Sequence, residues 1–158
     1  VLTGRGKDTI KDNLEVEPYY TSHDAREPVA FIIQCQDRKL GHATDMGLVT
    51  NEIKQKLKNS HVLLVESNHD IEMLDVGPYP WSVKQRIKST VGHLSNEACG
   101  DLLANVSHKN LKQVVLMHLS QTNNHREIAR VTALQALGSH RPSLDLAQQD
   151  QASPLKEV

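Results

Sequence analysis

The sequence predicts an α/β or α+β domain, on three observations. Short apolar runs rich in β-branched residues recur at 28–35, 61–66 and 112–119. Stretches with apolar residues at helical spacing follow them, as in 124–137. The order is strands first, then strand–helix–strand–helix, which is the pattern of a sheet layered with helices. At 158 residues the chain is long enough for one domain with a real core. No internal repeat, linker or low-complexity tract divides it.

The elements follow in order. Residues 14–21 (LEVEPYYT) alternate apolar and polar, as a half-buried strand does. Residues 28–35 (PVAFIIQC) read as a buried strand, residues 36–38 as a polar turn and residues 39–44 as a strand that pairs back. Asp45, Met46 and Gly47 end this meander abruptly. Thr50 caps a helix over 51–59 that buries Ile53 and Leu57. Residues 61–66 (HVLLVE) form a central strand. A short helix over 69–76 is broken by Gly77-Pro78, and a second helix covers 81–89. Ser95 or Asn96 caps a helix to about Val106 that turns Ala98, Leu102 and Leu103 inward. Residues 112–119 (KQVVLMHL) are the next strand, and residues 124–137 a helix carrying Ile128, Val131 and Leu134. Residues 1–140 thus hold the domain, and residues 141–158 an edge strand (SLDLAQQ) with a loose polar end.

Composition excludes some classes. Hydrophobic residues make up 38% and charged residues 23%, an ordinary soluble balance. No apolar run approaches the ~20 residues of a membrane span, and no signal peptide opens the chain, so a cytoplasmic protein is expected. A net charge of −1 gives no global pull on nucleic acid. Cys35 and Cys99 match no zinc spacing and read as reduced thiols.

The nine histidines are the unusual feature. Histidine is the commonest metal ligand and the usual acid–base group near neutral pH. His23, Asp45, Glu66 and His118 all fall at or just after strand ends, where such sheets place ligands and catalytic groups. His23, Asp45 and His118 can converge at one rim as an imidazole–carboxylate set, which suits zinc, manganese or iron. Ordinary roles stay open at this level: a solvated turn for His23, a turn start for Asp45, a core histidine for His118, a polar residue before a helix for His93. His42, His61, His108, His125 and His140 read as structural, and His69 is placed only loosely near the rim. Lys84, Arg86 and Lys88 read as the solvated face of a helix, with phosphate contact as the alternative.

The segments TSHDA (21–25), GHATDMG (41–47), ESNHD (66–70), GHLSN (92–96) and MHLS (117–120), together with GPYPWSVKQRI and HLSQTNN, run across nearly the whole chain. In these segments the chain resembles the C-terminal half of a metallo-β-lactamase-fold phosphodiesterase, of the bacterial YycJ/WalJ type thought to act as exonucleases. The resemblance implies half of an αββα sandwich, a mixed sheet with helices on one face. It implies that His23, Asp45 and His118 are metal ligands, Asp45 bridging two ions of zinc or manganese. It also implies that His93 aids protonation of the leaving oxygen, that Glu66 orients His93, and that the substrate is nucleic acid or a small phosphodiester cleaved by metal-activated water.

One departure matters. The family's N-terminal half brings a His-x-His-x-Asp-His motif with most of the ligands, and no such motif occurs in these 158 residues. The chain is therefore expected to be a hydrolase fragment. The alternatives are a non-catalytic half-domain that dimerises or scaffolds, and an esterase or lactonase of the same superfamily. Half a sandwich leaves a sheet face uncovered, which predicts a homodimer that covers it.

Overall fold

The computed structural model describes residues 8–9 and 13–154. The first and last few residues of the domain and tail expected from sequence, 1–7, 10–12 and 155–158, lie outside this set. The strands are β1 (Asp8–Thr9), β2 (Leu14–Tyr20), β3 (Val29–Cys35), β4 (Arg38–Ala43), β5 (Val62–Glu66), β6 (Gln113–Met117) and β7 (Ser143–Leu146). The helices are α1 (Asn51–Leu57), α2 (Ile71–Val76), α3 (Trp81–Lys88), α4 (Asn96–Val106) and α5 (Arg126–Leu137).

Among the described residues the seven strands form one sheet in chain order. Strands β1 to β4 pair antiparallel, as tight connections require, and β4 to β7 pair parallel through helical crossovers. The sheet is thus mixed, as the family resemblance implied. Side chains on a strand alternate between faces. On one face Ala30, Ile32, Ala43, Leu63, Val65, Val114, Leu116 and Leu146 are buried in a single core with helices α1, α4 and α5. Those helices contribute Ile53 and Leu57, then Cys99, Leu102, Leu103 and Val106, then Ala129, Ala133 and Leu137. Buried Cys99 has its thiol pushed up to about 12 by burial, so it is inert at neutral pH.

The caps explain where the helices begin. Thr50, Asp70 and Ser95 each accept a bond from the backbone N–H three residues on, at 3.2, 2.8 and 3.2 Å. Asp70 therefore starts α2 two residues later than the apolar pattern suggests. Helix α5 starts at Arg126 because His125 takes the capping position, its Nδ1 accepting from Glu127 N–H at 3.3 Å.

The opposite sheet face is different. Register places Phe31, His42, Leu64 and Val115 in one row and Ile33, Leu40, Val62 and Gln113 in the next. Phe31, Ile33, Leu40, Leu64, Val115 and Met117 are only partly covered. Burial is therefore uneven: the core lies on the helical side, where every crossover helix of the core packs, while on the opposite side Val62, Gln113 and Glu66 are buried and the residues just named are not. No helix among the described residues is long and apolar enough to cross a membrane.

Candidate metal centre

Strand β2 runs antiparallel to β3, and β3 to β4, so β2 points the same way as the parallel set β4–β7. The C-terminal ends of β2, β4, β5 and β6 therefore share one rim. His23 lies just past β2, Asp45 just past β4, Glu66 closes β5, and His118 follows β6. His93 joins them from the turn between α3 and α4.

Glu66 is the hub. It is fully buried, yet three donors surround it. Its Oε1 accepts from Nδ1 of His93 at 2.7 Å and from Nδ1 of His118 at 2.9 Å. Its Oε2 accepts from the Met46 N–H at 3.1 Å. Burial alone would raise its pKa; the bonds from His118, His93 and Met46, with the charge of His93, outweigh that and hold the carboxyl below its usual range. The same bond raises the pKa of His118 against partial burial, with the charges of Glu66 and Asp45 adding to it.

An ionised carboxylate only accepts, so both rings must present N–H at Nδ1 and keep the Nε2 lone pair when neutral. His23 obeys the same rule by another route. Its Nδ1 lies 2.9 Å from the carbonyl oxygen of Gly92, which also only accepts. Three imidazoles thus have their tautomer set from behind, as metal-binding histidines do. Asp45 Oδ1 lies 3.8 Å from Nε2 of His23 and 3.8 Å from Nδ1 of both His93 and His118. Ring centroids are 5.0 Å apart for His23–His93 and 5.1 Å for His93–His118.

Asp45, Glu66, His93 and His118 each place a ligand-type atom within 4.8 Å of the others. Among these, Glu66 has both oxygens engaged by donors, so its geometry is that of an orienting group. The donor set that remains, imidazoles with a carboxylate, fits zinc or manganese better than calcium.

The backbone is shaped for this. Asp45 and His118 have φ of 55° and 57°, a left-handed conformation that side-chain-bearing residues seldom adopt. Such strain gathers where a site needs a side chain re-aimed. Around Asp45 the chain also passes very close to itself. Gly47 N–H donates to Ser22 O at 2.8 Å, and a Cβ on Gly47 would run into Ser89 O, Gly92 N and Thr90 C. The residues that follow β2 are tied to the same turn: Ser22 Oγ donates to Thr90 O at 2.7 Å and Asp24 N–H to Val91 O at 3.1 Å.

All five residues singled out in the sequence thus meet at one rim. Lys84, Arg86 and Lys88 face protein partners: Lys84 donates to Asp75 O, Lys88 pairs with the Asp75 carboxylate, and Arg86 pairs with Asp24. His61, His108 and His140 bond backbone groups elsewhere. Sequence reasoning missed the roles of Met46, Gly47 and Gly92, which act through the backbone and leave no chemical signature in a side chain.

Residues 4–119 match the family described as the β-lactamase superfamily domain. The chain belongs to that superfamily. Within it the chain is of the YycJ/WalJ type. This superfamily chain is 43% identical to exodeoxyribonuclease YycJ of Bacillus anthracis, over 79% of its own length and 47% of that protein. It is 32% identical to exodeoxyribonuclease WalJ of Streptococcus pneumoniae, over 97% of its own length and 59% of that protein. It therefore spans about half the length of these curated relatives. In fold it resembles the metallo-β-lactamase fold protein YhfI of Bacillus subtilis, with a TM-score of 0.65 and 12% identity, covering 93% of this chain and 52% of that one. It also resembles zinc-bound PqqB of Methylobacterium extorquens, with a TM-score of 0.61 and 18% identity, covering 92% and 48%.

Proposed function

We propose that this β-lactamase superfamily chain carries part of the active site of a metal-dependent phosphodiesterase acting on DNA. The observation that carries this is the shared acceptor Glu66 Oε1, at 2.7 Å from His93 and 2.9 Å from His118. One carboxylate fixes two rings, and the two rings have different tasks. The two relatives named exodeoxyribonucleases support DNA as the substrate class.

His118, Asp45 and His23 hold the metal in this reading. A divalent ion there, zinc or manganese, supplies Lewis acidity and makes water a competent nucleophile near neutral pH. His93 delivers a proton from Nε2 to the departing oxygen, and Glu66 keeps the ring oriented for that transfer. The remaining ligands come from outside this chain, since it lacks His-x-His-x-Asp-His. That same lack favours a second reading, in which the isolated chain scaffolds and does not catalyse.

Two measurements separate these. Zinc and manganese titration of the chain should show stoichiometric binding that His118→Ala abolishes; no binding supports the scaffold reading for the isolated chain. In the whole protein, hydrolysis of bis-p-nitrophenyl phosphate should fall by roughly 10²–10⁴-fold in His93→Ala, the usual worth of a proton-transfer group. Cleavage of lactones but not of that diester would reject the phosphodiesterase and favour a lactonase.

A further inference from the structure

Behind the site lies a buried polar network that none of the roles above uses. An asparagine lies a few residues after Glu66 and after each histidine bonded to it: Asn68 after Glu66, Asn96 after His93, and Asn124 after His118. All three are buried, with Asn96 at 1% exposure. Asn96 and Asn124 bond each other reciprocally through their amides, at 2.9 and 3.0 Å. Ser67 Oγ donates to Asn96 Oδ1 at 2.6 Å. Asn124 Nδ2 also reaches the carbonyl oxygens of Ser67 and Asn68, each at 2.9 Å.

Asn68 occupies the centre of this arrangement. Its side-chain Nδ2 donates to His118 O at 2.8 Å, while its own carbonyl accepts from Ser120 N–H at 2.8 Å. The turn that starts at His118 is therefore gripped at both ends by one residue. Asn68 N–H donates to Leu94 O at 2.8 Å, next to His93. Asn96 N–H donates to His69 O at 2.9 Å, a second tie on that side.

We infer that Asn68 is a positioning residue that sets the His118 ring on Glu66, with the Asn96–Asn124 amide pair locking the strand ends behind it. The physical reason is the backbone of His118. Its φ of 57° is unfavourable for a residue with a side chain, and it must be over-determined by its surroundings. A one-turn loop has no ladder of its own to do this. The side-chain amide of Asn68 supplies a donor to the His118 carbonyl, the group whose direction the left-handed conformation changes. A buried network of reciprocal bonds of this kind is rigid, because an unpaired member is costly. Asn68 holds the His118 carbonyl through its side chain, but Ser120 and the His93 side through its backbone only. Truncating the side chain should therefore release His118 and spare His93.

This inference rests on the proposed site but is read without activity. In the metal-free chain, the Nδ1–H signals of His93 and His118 are followed by long-range ¹H–¹⁵N correlation. In Asn68→Ala the His118 signal should broaden into solvent exchange or shift, while that of His93 stays. Leu57→Ala, a core change of another kind, should leave both in place. Both signals unchanged in Asn68→Ala would overturn the inference, and so would loss of both, which marks a general structural role. Asn68→Ser is read by the same rule if the alanine variant does not fold. A second arm titrates zinc. Affinity should fall by about 10–100-fold, the usual effect of disturbing a residue that orients a ligand. Unchanged affinity with a displaced His118 signal would uphold the positioning role and count instead against His118 as a ligand.

Discussion

Histidines in this chain divide by what stands behind each ring, and that division sets a pH dependence. His69 is buried and His42 half-buried, and the Nδ1 of each is shielded from solvent with no partner among the described residues. Burial lowers the pKa of both, with the charges of Asp45 on His42, and of Glu97 and Glu66 on His69, opposing it. A lowered folded pKa means the unfolded chain takes up protons first. Their contribution is fully present above about 6.5, the ordinary histidine value, and is lost as pH falls through the folded values. His118 has the opposite sign: its raised pKa contributes below that value and fades as pH rises. Its side chain is 46% exposed, so solvent screening reduces its share. The net expectation is a protein less stable to urea at pH 5.5 than at pH 7.5. His42→Gln should flatten that difference, since glutamine has no proton to gain. A wild-type midpoint that rises on acidification would reject this assignment. Sequence alone put His42 among structural residues and His69 near the rim, but could not see which rings lack a partner, because that depends on contacts between distant segments.

At the scale of elements, the site depends on how closely the segments after β2 and β4 approach the turn after α3. Gly47 is the point of closest approach, facing the backbone of Ser89, Thr90 and Gly92. Gly47→Ala must push that turn away. It would then loosen Gly92 O from His23 and shift His93 from Glu66. We expect a loss of about 1–3 kcal/mol, the range for overpacking, and weaker metal binding in the same variant. Denaturation and zinc titration check the two together; a wild-type result in both would mean the turn gives way without strain. Much of this level was legible beforehand. The alternation in β2, the β-branched runs of β3, β5 and β6, and Thr50 as a cap are all local signals. The two-residue β1 was not, because it exists only through its pairing with Val16 and Glu15. The asparagines carry no local signal for the same reason: Asn96 reads as a possible cap and Asn124 as the start of a helix, and with Asn68 they have meaning only once three strand ends are brought together.

For the whole molecule, the decisive quantity is the uncovered sheet face. Leu64 and Val115 lie side by side on adjacent strands, Phe31 stands beyond His42 in the same row, and Ile33 and Leu40 follow in the next row. Apolar rows on a sheet are favourable only when something dry covers them, at roughly 25 cal/mol per Å² buried. The matched region accounts for 47–59% of the length of the curated relatives, so those proteins hold a further segment. For the isolated chain, the proposed cover is a second copy. Two such faces are self-complementary, since a two-fold pairing needs only that each row meet its own kind. Light scattering after size exclusion should therefore report a dimer. Leu64→Glu should shift it to a monomer without unfolding it, because a partly covered position on the open face carries no helix contact to lose. A wild-type chain that stays monomeric at high dilution would sink the idea. A Leu64→Glu chain that unfolds, by contrast, would mean the face belongs to the core of the single copy. The position of Glu66 makes this more than a question of solubility. It follows Leu64 on the same side of β5, so whatever covers the apolar rows also borders the site.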